Sequence, residues 1–195
     1  STVLRTEWVD EAPKVMVTWS VPHPEMTGRM LEKVAAEWNC SQEAAAKRLQ
    51  PAGAVYFAMD EADVRRILSY QHTMIGSDGL PHDAHPHPRL WGSFPRVLGH
   101  YARDERLFPM EEAIRRMTGL SAERFGLAGR GRLMQNYAAD LVLFDPKTVR
   151  DRATFEDPKQ PSAGIHSVWV NGQVVWRAGA ATGARPGRVL RRKGR

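Results

Sequence analysis

One run in this chain, a helical pattern leading into a short apolar stretch and then a long polar loop, constrains the fold more than any other. Asp60 stands where a helix cap belongs; Val64, Ile67 and Leu68 share one face, while Asp63, Arg65 and Arg66 face water. The polar residues 70–72 lead into 73–76, and Ser77-Asp78-Gly79 opens a loop dense in His and Pro. Helix, turn, short buried strand and polar loop make one unit of an alternating α/β fold. A carboxylate at such a strand end lies where α/β enzymes place their chemistry.

The flanking segments read as smaller pieces. Residues 15–19 (VMVTW) form a β-branched run closed by Pro22 and Pro24. Thr27 is expected to cap a helix bearing Met30, Leu31, Val34, Ala35 and Trp38, and Ser41 to cap a second that stops at Pro51 and Gly53. Residues 55–59 (VYFAM) are a brief apolar run. After the His/Pro loop, 94–103 is expected as a short helix interrupted at Gly99. A better one follows with Met110, Ala113, Ile114 and Met117 on one face, Arg115 and Arg116 in its last turn, and Gly119 as its stop. Ser121 caps a further short turn ending at Gly126. Residues 140–144 (DLVLF) read as a strand, and 167–176 as a hairpin turning at Asn171-Gly172, both of which tolerate positive φ. That register puts Trp169, Val174 and Trp176 on one face, and Val168, Val170 and Val175 on the other.

The net charge of +6 suggests nucleic acid until it is located. Six of the 28 cations and no acid fall within 185–195, so the remaining 22 cations balance the 22 acids. A basic terminus is more often a solvated tail than a nucleic-acid surface, and the body has no basic face interleaved with aromatics. No apolar run approaches the roughly 20 residues that span a membrane. The single cysteine, Cys40, excludes an internal disulfide and fits a reducing cytoplasm; it reads most simply as a small buried residue. A chain that opens at Ser1 in mid-domain pattern is expected to be part of a longer protein.

Two residues of the loop carry the chemical argument. Asp78, isolated among small residues, can ligate a metal or accept a proton from an attacking water; it can equally be an Asp that starts a turn with Gly79. Arg89 suits a bidentate grip on a carboxylate, or a surface stack on Trp91. His82, His85 and His87 can meet at a zinc ion with Asp78 or Asp83. Their spacing matches no compact zinc motif and three prolines stiffen the loop, so surface-loop histidines are the expectation.

The block GSDGLPHDAHPHPRLWGSFPRVLGHYARD, followed by EEAIRRMTGLSAERFGLAGRGRL and YAADLVLFDP, resembles the N-acyl-D-amino-acid deacylases (D-aminoacylases) of the amidohydrolase superfamily. The resemblance runs from STVLRTEWVDE to GIHSVWVNGQVVW and RPGRVL, essentially the whole chain. It implies a zinc-dependent hydrolase cleaving N-acyl-D-amino acids to a carboxylate and a D-amino acid. The implied fold is α/β, the C-terminal part of a (β/α)₈ TIM barrel with an inserted helical lobe and part of a small β-barrel or β-sandwich. Residues 1–60 would be the inserted lobe. Residues 61–130 would be the end of the barrel, with 74–77 as its eighth strand, and 131–195 a share of the small β-barrel with its basic tail. Asp78 matches the family's catalytic aspartate at the zinc centre, base towards the metal-activated water and then proton donor to the leaving nitrogen. Arg89 matches a residue that binds the substrate's α-carboxylate, and Ser1 falls where a second carboxylate contact is expected.

The departures are as informative. The family's HxH pair, bridging cysteine and later metal-binding histidines would all lie upstream of Ser1, and Cys40 does not match the metal cysteine. RGRLMQNYAADL also lacks a glycine usual before the tyrosine. The expectation is therefore a chain inactive until joined to an upstream segment. The alternatives are an N-acyl-D-glutamate or N-acyl-D-aspartate deacylase, a cyclic amidase like the hydantoinases, and, from another class, a non-catalytic binding module with a basic tail.

Overall fold

The computed structural model describes residues 2–5 and 14–191. Ser1, expected to touch substrate, lies outside the described residues. The chain forms two compact units: residues 1–64 with 78–91 and 153–159, and residues 65–77 with 92–152 and 160–195.

The first unit is built on an antiparallel sheet of β1 (Thr2–Val3), β3 (Ala52–Tyr56) and β2 (Val15–Ser20), in that order. Helices α1 (Leu31–Glu37) and α2 (Gln42–Leu49) pack with it, burying Val15, Val17, Leu31, Val34, Ala45, Ala46, Leu49 and Ala52 in one core. Ser41 caps α2 as expected, its Oγ accepting from the Ala44 N–H at 3.1 Å. Thr27 caps nothing. It ends a 3₁₀ turn over Pro24–Met26, Gly28 turns the chain at φ +81°, and α1 begins only at Leu31. Cys40 is exposed rather than buried, because Asn39 at φ +51° carries the chain off the end of α1. The run expected at 55–59 is paired as strand earlier, over Ala52–Tyr56, because β2 and β1 both find their ladder partners there.

Helix α3 (Glu61–Ser69) starts as the sequence indicates, the Ala62 N–H donating to Asp60 Oδ1 at 2.7 Å. Residues 74–77, expected as a strand, join no ladder among the described residues. Their polar backbone is engaged instead by α5 (Met110–Met117), whose Arg116 carbonyl accepts from the Ile75 N–H. A strand needs the backbone of a neighbouring strand, and here the Ile75 N–H bonds a helix carbonyl instead.

The expected break at Gly99 is also absent. Helix α4 (Arg89–Arg96) continues directly into a π-helical turn over Val97–Asp104. Gly99 is there for contact: a Cβ on it would meet the Val149 carbonyl at 2.4 Å. Helix α5 ends at Met117, and α6 (Gly119–Phe125) starts on Gly119, the expected stop; Gly126 in the left-handed region closes α6. Of the two arginines ending α5, Arg116 is buried. It pairs with Glu112 at 2.7 Å, donates to the Leu68 carbonyl and lies over the Phe108 ring.

A second antiparallel sheet runs β4 (Leu141–Phe144), β5 (Ile165–Val170), β6 (Gln173–Arg177) and β7 (Ala180–Ala181). Asn171 at φ +47° and Gly172 at φ +80° make the expected hairpin turn. Beyond it Trp169 faces Val174, but Val168 faces Trp176, because Val175 bulges out of register. Trp176 therefore shares a face with Val168, not with Trp169. No helix among the described residues is long and apolar enough to cross a membrane.

Candidate active site

The loop from 78 to 91 belongs to the first unit, and backbone chemistry explains how it is held there. Strand β2 bulges between Val17 and Trp19, which releases the Thr18 carbonyl from the ladder. That carbonyl accepts the His85 N–H at 3.1 Å. The His85 ring packs against Gly28, where a Cβ would come within 3.2 Å of Nδ1, and its Nε2–H donates to the Phe155 carbonyl at 2.6 Å. Pro86 is fully buried. These contacts fix the middle of the loop and tie residues 153–159 to it.

The two ends of the loop then meet. Asp78 adopts φ +47°, a region that Asp tolerates better than most side chains. Gly79 lies so close to α4 that a Cβ would fall 2.7 Å from Leu90 Cδ1 and 3.0 Å from Leu90 Cα. This close approach brings Asp78 beside the first residue of α4, and Arg89 Nη2 lies 2.7 Å from Asp78 Oδ2. The carboxylate is 79% exposed and the guanidinium 31%. An ion pair so open to water is worth at most about 1 kcal/mol, so another carboxylate can displace Asp78 from the arginine at little cost.

The structure thus brings together Asp78 and Arg89, singled out separately in the sequence. No turn forms at Asp78-Gly79: the positive φ of Asp78 redirects the chain, and the first turn of the loop comes at Pro81-His82. The histidines do not gather round a metal. Among the described residues no group of three or more His, Cys, Asp or Glu is placed to hold one. His82 is solvent-facing and 3.6 Å from the buried Asp83 carboxylate. His85 and His87, expected as surface-loop residues, are half-buried and have structural work. His87 sits edge-on to the Phe155 ring at 5.0 Å, and its Nδ1 accepts the main-chain N–H of Arg89 at 3.0 Å. Burial, and then the neighbouring Arg89 charge, push this imidazole down to about 4 despite the opposing pull of Asp78. Sequence reasoning named His85 and His87 without these roles, and it missed Phe155 altogether. The only local signal was the alternation of His and Pro just before a helix start.

A metal requires more than this chain's described residues supply. Asp78 is one accessible carboxylate already facing a guanidinium, and no second or third ligand stands near it in a ligating set. These residues do not by themselves fit a metal centre.

Comparison with known proteins gives the geometry its context. The chain is 61% identical over 192 residues to a D-aminoacylase of Alcaligenes xylosoxydans xylosoxydans, covering 98% of this chain and 40% of that protein. It is 55% identical, over 98% of its length and 39% of the relative's, to an N-acyl-D-glutamate deacylase of the same organism. Among solved structures, a D-aminoacylase crystal structure superposes with a TM-score of 0.94 at 58% identity, covering 97% of this chain and 40% of that one. An N-acyl-D-glutamate deacylase from Bordetella bronchiseptica, complexed with zinc and a phosphonate mimic of the tetrahedral intermediate, superposes at 0.93 with 53% identity, over 97% and 40%. The chain spans about two fifths of the length of these relatives and shares their mixed α/β architecture. The amidohydrolase family matches residues 26–176, a stretch that holds both Asp78 and Arg89. On these grounds the chain belongs to the amidohydrolase family.

Proposed function

We propose that this chain is the part of an N-acyl-D-amino-acid deacylase that carries a catalytic carboxylate and a carboxylate-binding arginine. The observation that carries the reading is the exposed Asp78–Arg89 pair. An N-acyl-D-amino acid presents a carboxylate one carbon from the amide nitrogen. Arg89 exchanges Asp78 for that carboxylate, which leaves Asp78 unpaired beside the amide. Asp78 then accepts a proton from the attacking water as its oxygen bonds to the acyl carbon. It returns that proton to the nitrogen as the C–N bond breaks and the electron pair leaves with the amine. The products are a carboxylate and a D-amino acid. The 61% identity to a D-aminoacylase, against 55% and 56% to the glutamate and aspartate deacylases, favours the first substrate class.

The proposed cofactor is zinc, the metal of the inhibitor complex to which the chain is similar. When bound, zinc supplies Lewis acidity and lowers the pKa of water. Asp78 is the single ligand proposed from this chain, the others coming from the remainder of the complete enzyme. In the same reading residues 1–60 are an inserted lobe, 61–130 the end of a TIM barrel and 131–195 a share of a small β-barrel. Ser1 is a second carboxylate contact, and the enzyme works in the cytoplasm. Asp78→Asn in the complete protein tests the assignment. Turnover of N-acetyl-D-methionine is expected to fall at least 100-fold, with KM within a few-fold of the parent. A variant that keeps near-parental kcat would remove Asp78 from the chemistry.

A further inference from the structure

The first turn of a helix has N–H groups with no partner inside the helix, and Ser, Thr, Asp or Asn ordinarily satisfies one of them. At α4 a histidine does this work. His87 accepts the Arg89 N–H on its ring Nδ1 at 3.0 Å and the Leu90 N–H on its carbonyl at 3.1 Å. A ring can serve as a cap here because it is also packed. Phe155 meets it edge-on at 5.0 Å, Phe57 backs Phe155 at 4.6 Å, and the His85 Nε2–H holds the Phe155 carbonyl. Pro86 and Pro88 on either side restrict the backbone that presents the ring.

An Nδ1 that accepts a hydrogen bond carries no proton, so the neutral ring must hold its proton on Nε2. Protonation would turn the acceptor into a donor pointing at another donor, and would set a second cation beside Arg89. The neutral form leaves the guanidinium as the positive group facing Asp78.

We propose that His87 is a positioning residue for Arg89: through its Nδ1 and its packed ring it sets the first turn of α4, and so the place where Arg89 meets the substrate carboxylate. The inference rests on the carboxylate-binding role proposed for Arg89. It concerns a residue that touches neither the reacting atoms nor a metal.

Two variants of the complete enzyme separate its parts. His87→Phe keeps a ring against Phe155 and removes the acceptor; His87→Asn loses the ring but can place Oδ1 where Nδ1 was. With N-acetyl-D-methionine, His87→Phe is expected to raise KM about 10-fold while kcat stays within threefold. His87→Asn is expected to hold KM within threefold. With N-acetyl-D-methionine amide, which lacks the carboxylate, neither variant changes KM. A variant that merely folds poorly lowers the apparent kcat on both substrates and leaves KM alone. Spectra of ¹⁵N-histidine-labelled parent protein are expected to show His87 protonated at Nε2 and bare at Nδ1. Parental KM in His87→Phe, equal impairment in both variants, or a proton on Nδ1 overturns the inference alone, provided the parent is active. A parent enzyme that hydrolyses no N-acyl-D-amino acid overturns the functional reading together with it.

Discussion

Replacing Arg89 by Ala separates what this side chain does for the fold from what it does for substrate. Its ion pair with Asp78 is to a carboxylate 79% exposed to water, so losing that pair by itself lowers stability by at most about 1 kcal/mol. In the proposed function a bound substrate carboxylate is different, because the guanidinium would meet it with two charge-assisted N–H bonds of roughly 1.5–3 kcal/mol each. Displacing Asp78 and wetting by solvent on the open side of Arg89 both subtract from that sum. A net loss of about 2–3 kcal/mol remains, a 30- to 150-fold rise in KM. The assay is steady-state hydrolysis by the complete enzyme of N-acetyl-D-methionine and of its amide, beside urea unfolding of the same preparations. The free acid should show the full rise, the amide less than a threefold change, and the unfolding midpoint should barely move. Equal rises on acid and amide would show that Arg89 does not read the carboxylate. An unchanged KM with a large fall in the midpoint would make it a structural residue.

Acid sensitivity should follow His87, whose folded value near 4 lies below the ordinary 6.5. As pH falls from 6.5 to 4 the unfolded chain takes up a proton that the folded ring refuses, so stability complete above 6.5 is lost towards 4. The limit is about 3 kcal/mol, roughly half that allowing for the ring's partial exposure, and His87→Phe should flatten this part of a urea-midpoint-against-pH curve. Arg116→Met should cost about 2–4 kcal/mol in urea unfolding, since the Leu68 carbonyl loses its charged donor, while Arg115→Ala on the same Glu112 should scarcely shift the midpoint. Gly99→Ala should cost about 2 kcal/mol or more, its Cβ meeting a main-chain oxygen at 2.4 Å; Gly76→Ala, with nothing within 4 Å, should be neutral or stabilising. Matching effects at the two glycines would show that close approach is not the reason for Gly99.

What was legible in the sequence was chemistry decided within four residues. Ser41 and Asp60 cap their helices because the donors they satisfy come two or three positions later. Asn171-Gly172 turns a hairpin because both residues accept positive φ. Thr27 offered the same signal as Ser41, but Gly28, closely packed against the His85 ring, turned the chain another way. Partners distant in sequence decided the rest. Arg115 and Arg116 are adjacent in one helix turn, and only the Leu68 carbonyl and the Phe108 ring distinguish the buried one. The bulge at Val175 belongs to the pairing of β6 with β5 and has no mark of its own in the sequence. In the candidate site Asp78 and Arg89 were singled out by residue type and family resemblance. Their pairing depends on Gly79 lying against Leu90, which no spacing rule reports. The loop histidines were conspicuous, but the roles of His85 and His87 depend on Phe155.

That dependence bears on any attempt to move the carboxylate recognition proposed for this loop to another scaffold. The hydrogen bond from His85 to the Phe155 carbonyl joins residues 70 positions apart. Transplanting 78–91 alone would carry Asp78 and Arg89 but leave the His87 ring without its wall and the His85 proton without its acceptor. The transferable module is discontinuous: 78–91 together with 153–159, set on a sheet whose second strand bulges at Thr18. A chimera built from the contiguous loop should fold and bind carboxylates poorly; adding the short distant segment should restore binding without any new residue touching substrate.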